Sequence, residues 1–187
     1  MRRMNVIILT AMLSFGSPAL AHAQNSVKRV VEDIPSFKNI FRVSAARTPS
    51  GFPVPRYVSL KVGQVNGRTG PSRQHPIAWK YQRRGLPLIV VAETDMWRKV
   101  RDVQGDESWI HKPAISGERR VLVLEETLLR AKPRDRARAK ASLDPNALMT
   151  LLECNDLQWC LIQSDDGLKG WTPQQKLWGA HRLYLSK

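Results

Sequence analysis

The sequence predicts an all-β protein made of two small tandem β-barrels, with about five strands in each. Three observations support this prediction. The chain repeats itself at a spacing of 62 residues, short segments alternate apolar and polar residues, and no helix-length amphipathic segment lies within either repeat. Short strands separated by frequent turns are typical of small closed or nearly closed barrels.

The repeat aligns residues of rare type. A shift of 62 residues superimposes several matching residues without a gap: Trp97 on Trp159, Trp109 on Trp171, Pro71 on Pro133, and Gly105 on Gly167. Two tryptophan pairs in one register are difficult to obtain by chance, so the repeat indicates a duplicated structural unit. We place the first unit at residues 56–118 and the second at 119–187.

Each unit contains the same series of strand signals. In the first unit the predicted strands cover residues 58–62, 86–92, 97–103 and 108–111; in the second they cover 121–124, 148–154 and 159–162, with a last strand at Trp171. A long polar stretch rich in glycine and proline follows the first strand of the first unit, and we expect it to be irregular.

The N-terminus has the pattern of a secretory signal. Arg2 and Arg3 precede an apolar run at 6–15, and Ala21-His22-Ala23 is a small-x-small cleavage pattern. The run is shorter than the roughly 20 residues of a membrane span. We expect cleavage after Ala23 and a periplasmic or secreted protein without a transmembrane segment; the alternative is a buried N-terminal helix.

Residues 24–55 are predicted to be a linker. Apolar residues within 27–34 are spaced as in one or two turns of helix, and Pro35 ends the pattern. Residues 44–55 are rich in serine, proline and glycine, a composition typical of a tether.

The charge of the chain favours anionic partners. The full sequence carries a net charge of +14; loss of Arg2 and Arg3 with the signal leaves 28 basic and 16 acidic residues, a net charge of +12. Such a charge attracts nucleic acid, anionic lipid or acidic envelope polymers, and export makes nucleic acid the least expected of these. The alternative is a basic surface that serves only solubility.

The motifs of both units resemble the bacterial SH3-like (Src-homology-3-like) domains, and in particular exported two-copy proteins of the alphaproteobacterial type. The resemblance covers residues 56–183 and rests on these segments: 66–71, 84–87, 97–102, 108–111, 129–133, 153–154, 159–160, 170–171 and 177–179. Ser108 departs from the pattern, in which a glycine usually precedes the tryptophan. The resemblance implies barrels of about five strands that bind cell-wall material or partner proteins.

The two cysteines, Cys154 and Cys160, lie at the end of one predicted strand and the start of the next. Opposed residues of an antiparallel pair are close enough for a disulfide, and an exported protein meets oxidising conditions. A catalytic thiol and a metal ligand are the alternatives, but no histidine lies nearby in sequence. We expect a disulfide and no metal site.

Two tryptophans and two basic loops form the predicted ligand surface. Trp97 and Trp159 begin equivalent strands, where a tryptophan of peptide-binding relatives lines an aromatic groove; the alternative is that both only cover a barrel edge. The basic candidates are Arg68, Arg73, Arg84, Arg130, Arg134, Arg136 and Arg138. This charge argues against a cationic proline-rich peptide, and the alternative for the loops is a solvated surface.

No catalytic constellation is recognisable, so we expect no enzyme and no cofactor. The leading hypothesis is a periplasmic binding protein for an anionic cell-envelope ligand, either a peptidoglycan stem peptide or an acidic envelope protein. The alternatives are a scaffold that pairs through barrel edge strands, a nucleic-acid binder, and an accessory domain of a cell-wall enzyme. The sequence leaves the oligomeric state open.

Overall fold

A computed structural model describes residues 42–181 and residue 183. This part of the chain contains two antiparallel sheets of seven strands each. The strands of the first sheet are β1 (Arg56–Leu60), β2 (Val65–Arg68), β3 (Ile77–Tyr81), β4 (Pro87–Glu93), β5 (Trp97–Arg101), β6 (Glu107–His111) and β7 (Ile115–Ser116). Those of the second are β8 (Arg120–Val123), β9 (Thr127–Arg130), β10 (Ala139–Leu143), β11 (Leu148–Cys154), β12 (Trp159–Gln163), β13 (Lys169–Pro173) and β14 (Leu177–Trp178).

The two sheets have the same topology. The strand order is β3-β2-β6-β5-β4-β1-β7 in the first and β10-β9-β13-β12-β11-β8-β14 in the second. The all-β class and the tandem arrangement are therefore confirmed. The predicted count of about five strands in each unit is lower than the seven observed. The strands that the sequence did not locate are the two strands of the hairpin that follows the first strand and a two-residue closing strand.

The stretch predicted to be irregular contains the β2–β3 hairpin. Its tip is closed by two hydrogen bonds, from the Arg68 guanidinium to the His75 carbonyl at 2.7 Å and from the Thr69 amide to the Pro76 carbonyl at 3.0 Å. Gly67 marks a close approach of strands rather than a turn, since a Cβ there would lie 2.3 Å from Ser108 Oγ.

The second barrel reverses this contact. Leu129 occupies the place of Gly67, and Gly170 occupies the place of Ser108. A Cβ at Gly170 would lie 2.5 Å from Leu129 Cγ. Each barrel thus places one glycine against one larger side chain where these strands cross, and Gly67 leaves the space that Ser108 occupies.

Each sheet curls around its own apolar core. The first core contains the buried residues Val54, Val58, Leu60, Val65, Tyr81, Leu88, Val90, Val100 and Ile110. The second contains Val121, Val123, Leu129, Leu143, Met149, Cys160, Ile162, Leu177 and Ala180. Because strands from all around each sheet contribute to one core, each unit is a barrel.

A third apolar cluster joins the two barrels. It consists of Tyr57 and Ile89 from the first barrel and Leu122 and Trp178 from the second, all of them buried. The rings of Tyr57 and Trp178 meet edge to face, with centroids 5.7 Å apart. The barrels therefore pack directly on each other, a feature that the sequence did not indicate.

The segment predicted to be a tether folds against the first barrel. Val43 and Val54 form an antiparallel bridge, and Val54 is buried in the first core. The signal sequence and the short helix predicted at 27–34 lie outside the described residues. Within residues 42–181 and 183, no helix is long and apolar enough to cross a membrane.

The β4–β5 and β11–β12 hairpins are closed by different chemistry. Glu93 pairs with Arg98 across the first hairpin, and Cys154 pairs with Cys160 at the equivalent position of the second. The two cysteines form a disulfide, as predicted. Glu93 and Arg98 are five residues apart in sequence, whereas Cys154 and Cys160 are six apart. The second turn is therefore one residue longer, and the alignment of the two units needs a gap here.

The disulfide should stabilise the second barrel modestly. Closing so short a loop contributes about 2 kcal/mol on the chain-entropy model. We expect the Cys154→Ser/Cys160→Ser double variant to lose about that amount in urea unfolding, and intact mass should show no free thiol in protein recovered from the cell envelope. An unchanged midpoint, or two alkylatable thiols, would contradict this prediction.

Candidate ligand-binding groove

The aromatic wall of the candidate site is formed across the β5–β6 hairpin. Trp97 begins β5 and pairs with His111, the last residue of β6. Their ring centroids are 5.2 Å apart, with the planes tilted by 56°. Trp97 is only partly buried, so part of its indole surface remains available to a ligand.

The cationic wall comes from the tip of the β2–β3 hairpin. Arg68 ends β2, and its hydrogen bond to the His75 carbonyl fixes the guanidinium beside the tip. Arg73 lies in the tip itself and is exposed. In the described part of the chain, no carboxylate lies within ion-pair distance of either arginine.

These residues line one groove with a volume of about 380 Å³. We call it the Trp97 groove; its lining consists of Gln64, Val65, Asn66, Arg68, Arg73, Trp97, His111 and Ala114. The lining contains two arginines and no acidic residue. Such a groove can donate charge-assisted hydrogen bonds to carboxylates or phosphates while the indole contacts an apolar part of the ligand.

The strand that supports the groove is held by a buried hydrogen bond. Tyr81, opposite Val65 in the β2–β3 pair, shares a hydrogen bond of 2.9 Å with Ser108 Oγ. Burial raises the pKa of Tyr81 to about 12. The phenol therefore stays protonated near neutral pH, and the contact between β3 and β6 does not change with pH there.

The equivalent surface of the second barrel has different chemistry. Trp159 and Arg130 keep the tryptophan and the first arginine, but Asp135 replaces Arg73. Pro173 pairs with Trp159 where His111 pairs with Trp97. The duplicated sites are therefore not equal, because the second barrel has Asp135 and Pro173 where the first has Arg73 and His111.

The second basic loop is compact rather than extended. The Arg130 guanidinium donates to the Ala137 carbonyl at 2.9 Å, and the Arg134 amide donates to the Lys132 carbonyl at 2.8 Å. The side chains of Arg134, Arg136 and Arg138 are exposed around this tip.

Arg84 is separated from the other candidates. It lines a cleft between the two barrels and does not contact the Trp97 groove. The sequence prediction also missed His111 and Asn66, which complete the groove. His111 could have been found by counting the register of the β5–β6 hairpin outward from its turn, because that register places it opposite Trp97.

In the described part of the chain, no group of three or more His, Cys, Asp or Glu residues is arranged to hold a metal ion.

The solved structures that resemble this chain include two distant matches. The chain is 13% identical to the structure of NlpC1 from Trichomonas vaginalis, with a TM-score of 0.30, over 66% of this chain and 45% of that one. It is 12% identical to NlpC2 from the same organism, with a TM-score of 0.31, over 67% of this chain and 48% of that one. The chain thus spans about half the length of these structures. No curated protein matches it.

A family model identifies both barrels. The model of the bacterial SH3 domain matches residues 61–117 and, separately, residues 124–179. Each match lies over one of the two seven-stranded sheets, and together they cover more than half of the 187 residues. The chain therefore belongs to the bacterial SH3 domain family and carries two copies of the domain in tandem.

Proposed function

We propose that this protein is a non-catalytic binding protein of the bacterial cell envelope, and that the Trp97 groove is its ligand site. One observation carries the proposal: Trp97, Arg68 and Arg73 line a single groove in which no residue is acidic. The predicted signal sequence supports an exported location, and membership of the bacterial SH3 family supports a cell-wall-related role.

The groove suits a ligand that has both carboxylate and apolar groups. Its volume of about 380 Å³ lies within the usual range of small-ligand sites. The arginines offer planar guanidinium groups that match the geometry of a carboxylate, and Trp97 offers an aromatic face. A peptidoglycan stem peptide combines small apolar side chains with free carboxylates, so it is the first candidate; an acidic envelope protein is the second.

Retention on purified cell wall tests this proposal. We expect Trp97→Ala and Arg73→Ala each to weaken retention about tenfold, because each removes either a desolvated aromatic contact or a charge-assisted hydrogen bond. Retention of the unaltered chain should fall as salt is raised from low to physiological concentration. The matched control is Trp159→Ala, the same change in the second barrel, which should leave retention within a factor of two to three.

Two results would contradict the proposal. One is an unaltered chain that does not bind cell wall at low salt. The other is an equal loss of binding in Trp97→Ala and Trp159→Ala, which would show that binding does not depend specifically on the Trp97 groove.

A second candidate function is a scaffold that pairs with a partner through the β3 edge. β3 is the end strand of its sheet, and Ile77 and Trp79 are exposed by 43% and 44%. An exposed edge of this kind can accept a strand from another chain. Partner capture that is insensitive to salt and is lost in Trp79→Lys would favour this function over the groove.

A further inference from the structure

A larger cavity lies between the two barrels. Its volume is about 570 Å³, and its lining includes Lys61 and Arg84 from the first barrel, Glu118 from the joining segment, and Arg120 and Asp165 from the second. We call it the inter-barrel cleft. It shares no lining residue with the Trp97 groove. The apolar cluster around Trp178 packs the two barrels against each other, and the Arg83 guanidinium of the first barrel donates to the Asn146 carbonyl of the second at 2.7 Å.

Arg120 is the fixed charge of this cleft. Arg120 is only 9% exposed. Its guanidinium donates to Asp165 Oδ1 at 2.7 Å and to Thr150 Oγ1 at 3.0 Å. A carboxylate oxygen of Glu118 lies 3.6 Å away. Gly85 packs against the guanidinium so closely that a Cβ there would lie 3.2 Å from Arg120 Nε. Two carboxylates therefore offset the charge of Arg120.

Lys61 and Arg84 supply further positive charge. Both are exposed, and among the described residues neither forms an ion pair. The carboxylates of Glu118 and Asp165 remain 55% and 76% exposed, so their oxygens are accessible from solvent. The cleft thus offers cations to a negative group and carboxylates to a positive group, both within one cavity.

We propose that the inter-barrel cleft binds a small zwitterionic molecule, a free amino acid or a short peptide. Its carboxylate would be held by Lys61 and Arg84, and its amino group by Asp165 and Glu118. A ligand with negative charge alone would use Lys61 and Arg84 but leave the two carboxylates without an ammonium partner, so it should bind more weakly than a zwitterion. The cavity volume is within the range that accommodates a ligand of a few residues.

A titration monitored by 1H–15N NMR on the full chain tests the proposal, with the dipeptide Ala-Ala as the probe. We expect the amide signals of Gly85 and Ser116 to move with the free dipeptide. The N-acetylated and the C-amidated dipeptide should each bind about tenfold more weakly, because each lacks one charged group. Inorganic phosphate should bind more weakly than the free dipeptide. Signals that do not move, or that move equally with all four probes, would overturn the proposal.

Two variants assign the binding to this cleft. Lys61→Ala and Arg84→Ala each change an exposed side chain, so the fold should persist, and each should weaken dipeptide binding about tenfold. Lys112→Ala, which removes an exposed lysine outside the cleft, is the matched control and should bind normally. Normal binding by the Lys61→Ala/Arg84→Ala double variant would overturn the proposal. Trp97→Ala should leave dipeptide binding at the cleft intact, so failure of the groove and failure of the cleft are distinguishable.

Discussion

Replacement of Trp178 by alanine is expected to destabilise the protein by about 3–5 kcal/mol, the usual cost of removing a buried aromatic side chain. Trp178 is fully buried and packs against Tyr57, Ile89 and Leu122 at the junction of the two barrels. The substitution removes the largest side chain of this cluster. It should therefore weaken the coupling between the barrels as well as the barrel to which Trp178 belongs.

Urea unfolding measures both effects. We expect a lower midpoint for Trp178→Ala and a transition that separates into two steps as the barrels unfold independently. Trp79→Ala is the matched control, since Trp79 is 44% exposed and contributes little to packing; its cost should stay near 1 kcal/mol or below. Equal losses in the two variants would show that the junction does not stabilise the protein.

Replacement of Glu93 by glutamine is expected to cost about 3–5 kcal/mol, the range found when one partner of a buried ion pair is removed. Glu93 Oε2 lies 2.5 Å from the Arg56 guanidinium and 3.1 Å from that of Arg98. The side chains of Glu93 and Arg98 are each only 2% exposed. Glutamine would leave the guanidinium of Arg98 buried without its carboxylate.

The cost of Glu93→Gln should decrease in acid. Burial alone would raise the pKa of Glu93, but hydrogen bonds from Ser50 and Arg56 outweigh burial and hold the pKa below its usual value of 4.5. A carboxylate with a lowered pKa in the folded state stabilises the protein above pH 4.5, and this contribution is lost as the pH falls through the lowered value. The unaltered chain and the variant should therefore converge below pH 4.5.

Urea unfolding of both chains between pH 7 and pH 3 measures this convergence. Glu126→Gln, a change at an exposed glutamate, should follow the unaltered chain throughout. A difference between Glu93→Gln and the unaltered chain that is constant across this range would contradict the assignment of the effect to ionised Glu93.

Most strands could be predicted from the sequence, but the β2–β3 and β9–β10 hairpins and the short closing strands could not. Apolar alternation marked β1, a compact apolar run marked β4, and turn residues marked the limits of β5, β11 and β12; each lies within a few residues of its predicted bounds. β2 and β3 were not predicted, because Gly67 was read as a turn residue, whereas in the structure it lies within β2 and lets this strand approach Ser108 closely. The pairing of the barrels was also missed, because Trp178 and Tyr57 look like ordinary core residues in sequence.

The candidate site could be predicted in part. Trp97, Arg68 and Arg73 were selected by residue type and loop position, and they do line one groove. Arg84 was selected for its charge and lies in a different cavity. His111 was missed because its contribution depends on cross-strand register, which composition and charge do not reveal.

Crosslinking in living cells tests the proposed ligand site most directly. A photoreactive phenylalanine derivative would replace Gln64 at the rim of the Trp97 groove in one strain and Glu126 in the second barrel in another; both positions are exposed. We predict that the Gln64 position captures peptidoglycan fragments or one acidic envelope protein, and that the Glu126 position does not. Equal capture from both positions, or capture of no envelope component at Gln64, would contradict the assignment of the groove as the ligand site.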